Sequence, residues 1–299
     1  MSFDLLVVTY DKDLHFLEMQ ARSIAEFFDY DDINCITVVH NNLDGSRTPI
    51  NIGFYGKFKN KVNEVIFDNF HFIERKIDYN NPLYGWIRQQ FCKLYFASFC
   101  QSEWCYVIDS KTIFLKKYQK EKHFNPQGQS LWRVSEITNY FFEGNNWLEN
   151  FFNLSLSPKE KRIPKRATPI MMHVPSIRNL IIDLYWKTKT DFFNWFIEHQ
   201  RKYNVAEFDL YFTYLKYKNI DNILYEFINL NAETNVENLV LLRTWADSST
   251  FDQDIGRIYN QEYFTISAHQ EILDNLTEDQ FNRLYAYFTE KKIFVMNNG

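Results

Sequence analysis

Glycine is scarce in this chain, 8 residues of 299, and that scarcity excludes whole classes of ligand site. No Gly-x-Gly-x-x-Gly follows the first apolar run, and no Gly-x-x-x-x-Gly-Lys-Ser/Thr occurs anywhere. The dinucleotide fingerprint and the P-loop both need glycine so that backbone N–H groups can approach a phosphate, and both are absent. A nucleotide, if bound, is held some other way. Cysteine is also rare: positions 35, 92, 100 and 105 fit no zinc spacing. In so long a chain a disulfide framework is not expected, and reduced, mostly buried thiols are. The longest apolar runs fall short of a membrane span. The start, Met1-Ser2-Phe3-Asp4, lacks a basic segment leading into an apolar one, so no secretory signal and a cytoplasmic location are expected. The net charge is −5, with both signs interspersed, which gives no general electrostatic grip on nucleic acid.

What the chain does have is apolar and aromatic material. Hydrophobic residues make up 45% and aromatics 18%, including 29 Phe and 19 Tyr. That content rules out disorder and suffices for one large domain.

Leu5-Leu6-Val7-Val8 is a continuous apolar run, the pattern of a strand covered on both faces. Leu14, Leu17, Ala21, Ile24 and Phe28 then recur at helical spacing, with Asp11 and Asp13 where a helix start favours acids. Ile36-Thr37-Val38-Val39 reads as a second buried strand. Strand, helix and strand in this order predict a parallel βαβ unit. Residues 42–60 read as a loop, 65–67 as a strand and 85–100 as a helix. Trp104–Ile108 reads as a buried strand ending in Asp109, and extended chain resumes at Thr112–Leu115. Ser130–Val134 and Ile170–His173 are further strands, and helices are predicted from Ser176 and over 206–217. Ser157-Pro158-Lys159-Glu160 has the form of a capping box opening a short helix stopped by Pro164. Thr277 to Gln280 has the same form, with Leu276 and Phe281 placed as a hydrophobic staple before a terminal amphipathic helix. The fold expected is α/β, with a mostly parallel sheet and a helical C-terminal part.

The chemistry concentrates in Gly85-Trp86-Ile87-Arg88-Gln89-Gln90-Phe91-Cys92-Lys93-Leu94 and, shortly after, Tyr106-Val107-Ile108-Asp109-Ser110-Lys111-Thr112. A helix carrying Gln and Lys leads into a buried strand that ends in an acid. In open α/β sheets ligands bind beyond the carboxyl ends of the strands. An acid there can meet a ribose, a metal ion or a cation bound to a diphosphate.

This segment resembles glycosyltransferases of the GT-A type, in particular bacterial and phage proteins that share a Gly-Trp-x-x-Gln-Gln-x-x-Lys-Leu helix and a strand ending in Asp-x-Asp or Asp-Ser-Lys. A downstream Glu followed by an aromatic and a Leu-Tyr pair, and a late His, correspond to Glu207-Phe208-Asp209-Leu210-Tyr211 and His269. The resemblance runs from Phe3 to about Leu284 and is most specific in the central segment. It implies a GT-A-like, Rossmann-type sandwich over 1–270, with a nucleotide-binding half (1–118), an acceptor half (119–270) and a helical segment (271–299) packed on it. It implies a nucleotide-sugar donor and a glycan or other hydroxyl acceptor. Thr9, Tyr10, Asp11, Arg88, Gln89, Lys93, Asp109 and Ser110 would hold the donor, and Glu207 would act as base in an inverting transfer. The departure is at 111, where Lys replaces the second carboxylate that would help hold a Mn²⁺ or Mg²⁺ ion. Two arrangements follow. Either Lys111 puts its own charge against the leaving diphosphate, or Asp109 and His269 hold a metal.

Plainer readings stand beside these. Asp109 caps a turn, Lys111 sits at an exposed edge, and Glu207 serves the first turn of a helix, where the macrodipole lowers a carboxyl pKa unless burial offsets it. His173 and His269 are structural hydrogen-bonders. Trp86 and Trp132 belong to the core, or one of them stacks on a sugar or base. Lys159, Lys161, Arg162, Lys165 and Arg166 are a solvated basic run, or guide an anionic acceptor. At the level of function, the rivals are a sugar-nucleotide- or glycan-binding protein that kept the fold and lost catalysis, and a nucleotidyltransferase, which would want the Gly-rich loop this chain lacks.

Overall fold

Phe3–Thr9 form the first strand (β1), buried along its whole length, as expected of an apolar strand covered on both faces. In a computed structural model, residues 2–42, 48–67, 82–135, 142–156, 163–164, 168–229, 240–241, 265–267 and 277–290 are described. A turn of 3-10 helix over Asp11–Asp13 leads into helix α1 (Leu14–Phe27), which turns Phe16, Leu17, Ala21 and Ile24 inward. Strand β2 (Ile33–His40) returns parallel to β1, completing the predicted βαβ unit. Strand β3 (Val62–Ile66) pairs parallel with β2 and starts three residues before the stretch read as a strand. The stretch read as one loop, 42–60, includes helical turns over Ile52–Lys61, which bury Tyr55 and Phe58.

Helix α2 (Pro82–Ala97) is followed by β4 (Trp104–Asp109), which pairs parallel with the opposite edge of β1. The connection between them is pinned by Asp4, 1% exposed, whose carboxylate accepts from Gln101 N, Ser102 N, Ser102 Oγ and Asn34 Nδ2. After the short β5 (Thr112–Phe114) come β6 (Ser130–Ser135), helix α3 (Phe142–Phe151), β7 (Ile163–Pro164) and β8 (Ile170–His173). Strand β8 joins β4 antiparallel, so the main sheet has the order β3-β2-β1-β4-β8 with one antiparallel edge. Helices α4 (Val174–Thr188), α5 (Phe192–Tyr203), α6 (Glu207–Tyr217) and the single turn α7 (Asp221–Leu224) follow. Strand β9 (Tyr225–Asn229) pairs parallel with β6, and β10 (Val240–Leu241) and β11 (Thr265–Ser267) form a small sheet with β5.

Helix α6 is buried from Glu207 through Leu215, because α2, α3 and α4 pack around it. Over those nine residues the helix has no solvent face, and apart from Glu207, Asp209 and Thr213 its buried positions are apolar or aromatic. Helices α3 and α5 were not anticipated from the pattern, although α5 carries a legible start: Asp191 accepts from Asn194 N at 2.9 Å as its N-cap. At Ile163–Pro164 the predicted helix end is instead a two-residue strand on Val134–Ser135. Proline lacks an N–H, and a short edge pairing tolerates that loss. The capping box at 157–160 lies outside the described residues. The second box is formed as read: Gln280 N donates to Thr277 Oγ1 (3.3 Å) and Thr277 N to Gln280 Oε1 (3.0 Å), opening the last helix, α8 (Glu278–Glu290). Leu276 and the Phe281 side chain, read as its staple, lie outside the described residues.

The chain lays β2 and β3 on one side of β1 and then crosses to place β4 on the other. At that reversal the connections leave β1 and β4 in opposite directions, opening a crevice at their carboxyl ends. The residues of interest sit there.

A candidate active site at the sheet switch point

Strand register brings the ends of β1 and β4 together: Val8 lies beside Asp109, so Thr9, Tyr10 and Asp11 leave the sheet next to Asp109, Ser110 and Lys111. Thr9 is buried, and its carbonyl accepts from Asn41 N at 2.7 Å. Tyr10 is 37% exposed at the rim. Burial, followed by the nearby Asp13 carboxylate, pushes its phenol above the ordinary range. Asp11 is tied to the end of β2: its N–H donates to Asn42 Oδ1 (2.9 Å) and its Oδ1 accepts from Asn42 Nδ2 (2.6 Å).

Asp13 stands one residue before α1, at the helix start where acids are favoured, and its side chain makes no cap hydrogen bond. Its carboxylate instead accepts from Ser110 Oγ (3.1 Å) and pairs with Lys111 Nζ (3.3 Å). The tertiary partners win because Asp13 and Lys111 are both largely buried, with 5% and 17% side-chain exposure, and each needs an opposite charge. Lys111, predicted to face a leaving diphosphate, thus emerges beside Tyr10 already sharing its charge with Asp13.

The second half of the site comes from α2. Positions 89 and 93 are one turn apart on one helix face. Gln89 Nε2 donates to Asp109 Oδ1 (3.1 Å), and Lys93 Nζ lies 2.8 Å from that oxygen. Lys93 Nζ also reaches Glu207 Oε1, at 3.3 Å. The other oxygen of Asp109 accepts from Thr168 Oγ1 (2.7 Å), and its carbonyl accepts from Gln20 Nε2 (2.6 Å). The result is a carboxylate–ammonium–carboxylate chain, Asp109–Lys93–Glu207. Lys93 and Glu207 each keep 7% side-chain exposure and Asp109 keeps 31%.

Burial alone would lower the Lys93 pKa, but the two carboxylates outweigh it and hold the ammonium above its ordinary value. Burial raises the Glu207 carboxyl, with Lys93 pulling the other way. The two directions agree. One ammonium cannot fully stabilise two carboxylates, and the shorter contact goes to Asp109. The offset that a helix-start acid needs in order to serve as a base is therefore present at Glu207.

Of the other residues read from the sequence, Arg88 has no exposed surface, and its guanidinium donates to the carbonyls of Asn42 and Phe67. It ties together the chain just past the ends of β2 and β3. His173 is structural, bonded to Ser176 Oγ (2.8 Å) and lowered in pKa by burial. Trp132 is core, whereas Trp86 is 48% exposed, a correction to its expected burial: it falls on the α2 face shared with Lys93 and near the start of the helix. Cys92, Cys100 and Cys105 are buried and free, and Cys35 is half-buried and free. The run 159–166 and His269 lie outside the described residues. Ser267, opposite Thr112, is the last described residue before His269. Asp13, Gln20 and Thr168 were missed as site residues. Each is one ordinary polar residue in its own segment, and only the packing brings it to Asp109, Ser110 or Lys111.

A divalent cation centred on Asp109 does not fit the described donor set. One oxygen of Asp109 faces an ammonium and an amide N–H, the other accepts a hydroxyl, and position 111 brings a further ammonium. Among the described residues no group of three His, Cys, Asp or Glu side chains converges.

The family described as "Family of unknown function (DUF6492)" matches residues 4–289. No curated protein matches the sequence. Solved structures similar to this chain include the glycosyltransferase GlyE of Streptococcus pneumoniae TIGR4, at 10% identity and a TM-score of 0.44, covering 100% of this chain and 66% of that one. The bifunctional glycosyltransferase WbbM is similar at 11% identity and a TM-score of 0.48, over 99% and 50%. The galactosyltransferase LgtC, solved with donor and acceptor sugar analogs, is similar at 10% identity and a TM-score of 0.46, over 99% and 98%. The chain thus spans just under two thirds of GlyE and half of WbbM. Among the described residues, no helix is long and apolar enough to cross a membrane.

Proposed function

The chain belongs to the DUF6492 family, and we propose that it transfers a sugar from a nucleotide-sugar to an acceptor hydroxyl, with inversion. The observation that carries the reading is the Asp109–Lys93–Glu207 chain at the carboxyl end of β4, beside the polar end of β1. The likeness of the 85–94 and 106–112 segments to GT-A-type glycosyltransferases supports it. In this reading residues 1–118 bind the donor, 119–270 receive the acceptor, and 271–299 pack as a helical segment.

Thr9, Tyr10 and Asp11 meet the nucleoside, while Asp109, held by Gln89 and Lys93, and Ser110, held by Asp13, position the ribose and diphosphate. Arg88 keeps the adjoining strand ends in place. An acceptor oxygen attacks the anomeric carbon and the bond from that carbon to the diphosphate oxygen breaks. The diphosphate leaves with the electron pair, and the acceptor proton passes to Glu207. Burial raises that carboxyl, which makes Glu207 a stronger proton acceptor than an exposed glutamate. Lys111 supplies positive charge on the leaving side, the electrostatic part a metal ion would otherwise play.

One observation favours a second reading, a binding protein on the same frame: Glu207 is nearly enclosed and paired with Lys93. A single experiment separates the two. A thermal-shift panel of nucleotide-sugars identifies the donor, since a ligand raises Tm according to how far it exceeds its Kd. Transfer is then compared between parent and Glu207→Gln. The variant should lose turnover and keep donor affinity within about twofold, because shape is retained and only the base is removed. Near-normal turnover in the variant would refute Glu207 as base. Donor binding without turnover in the parent would establish the binding protein.

A further inference from the structure

The run 88–93 of α2 holds four polar side chains, and three of them are used. Arg88 holds two carbonyls, Gln89 holds Asp109, and Lys93 bridges Asp109 and Glu207. The fourth, Gln90, is 2% exposed, and among the described residues neither its Nε2 nor its Oε1 has a hydrogen-bond partner. A carboxamide offers two donors and an acceptor with two lone pairs. Burying all of them unused is unfavourable, and a Leu or Met of similar volume would avoid the cost. Such a group in a folded protein calls for an explanation, and a ligand that completes it is one.

The helix phase says where that ligand would lie. At about 100° per residue, Trp86, Gln90 and Lys93 fall within an arc of about 60°. The Lys93 end of that arc reaches Asp109 and Glu207. The Trp86 end presents an indole that is 48% exposed. An aromatic face, an unused carboxamide and a charged pair in one row suit a pyranose, whose C–H face stacks on a ring and whose hydroxyls both donate and accept.

We infer that Gln90 reads the hydroxyls of the transferred sugar, with Trp86 against the sugar's apolar face, and so sets which sugar is accepted. The inference rests on the transfer reading above. The test uses whichever of UDP-glucose, UDP-galactose, UDP-N-acetylglucosamine, GDP-mannose or dTDP-glucose raises the parent Tm most, together with the matching free nucleoside diphosphate. Titration calorimetry on the full chain gives both affinities for the parent, Gln90→Met and Gln90→Asn. The nucleotide-sugar should bind Gln90→Met about tenfold or more weakly, while the free diphosphate stays within about twofold. The Tm of unliganded Gln90→Met should be unchanged or higher, because an unpaired amide has been removed. Gln90→Asn keeps the chemistry one methylene short, and its preference between UDP-glucose and UDP-galactose, or between another epimeric pair, should shift; it decides the matter if Gln90→Met does not fold. Equal weakening of sugar-nucleotide and diphosphate, or no weakening of either, would overturn the role of Gln90 alone. No binding of any nucleotide-sugar to the parent would overturn the transfer reading and this inference together.

Discussion

Replacing Lys93 with Met should unmask the charge that Lys93 holds in the core. Its ammonium lies 2.8 Å from Asp109 and 3.3 Å from Glu207, and Met keeps most of the volume while removing the charge. Two carboxylates then face each other across an apolar thioether. Removing one partner of a buried pair costs about 3–5 kcal/mol. Asp109 keeps 31% side-chain exposure, so water recovers part of its share and the expected loss is at the lower end, about 3 kcal/mol. The loss should depend on pH. Without Lys93 the Glu207 carboxyl rises further, so it protonates more readily and the penalty shrinks as pH falls. Adding Glu207→Gln in the Lys93→Met background should restore about 1–2 kcal/mol at pH 7, because a neutral amide needs no cation. The assay is urea unfolding at pH 5.0 and 7.5, read from midpoints at unchanged m. A loss under about 1 kcal/mol, or one equal at both pH values and untouched by Glu207→Gln, would refute the idea that Lys93 balances these two acids.

Other outcomes follow from the same geometry. Lys111→Ala should slow transfer by about a hundredfold or more, the scale of one lost electrostatic stabiliser, and EDTA should leave the parent active; complete loss in EDTA with recovery on adding Mn²⁺ would show that a metal does this work. The folded pKa of Glu207 lies above its unfolded value, so its stabilising effect is full below about pH 4.3 and is lost as pH rises through the folded value. The stability of the parent relative to Glu207→Gln should therefore fall with rising pH over that window, and a flat difference in unfolding free energy would contradict the raised carboxyl. Thr277→Ala removes one half of the α8 capping box and should cost about 1 kcal/mol, seen as lower hydrogen-exchange protection at the start of that helix; unchanged protection would mean the box does not hold the helix end.

Local patterning determined a good deal by itself. The continuous apolar run Leu5–Val8 could only be a strand enclosed on both faces, and Trp104–Ile108 likewise. An acid directly after such a strand had to stand at its carboxyl edge. Thr277 and Gln280 specified a helix start by chemistry confined to four residues. Strand burial, helix phase and capping all act over a few residues, so a single sequence carries them. The partners did not follow in the same way. Lys93 and Glu207 are 114 positions apart, Asp13 and Ser110 are 97 apart, and Thr168 reaches Asp109 across 59. Each of those side chains is compatible with many neighbours, and the enclosure of α6 and the crossing of the chain over β1 choose among them. The same packing left Gln90 buried with its amide unused. Burial is a property of the assembled layers, and the need of a buried charge or amide for a partner exists only once those layers have closed around it.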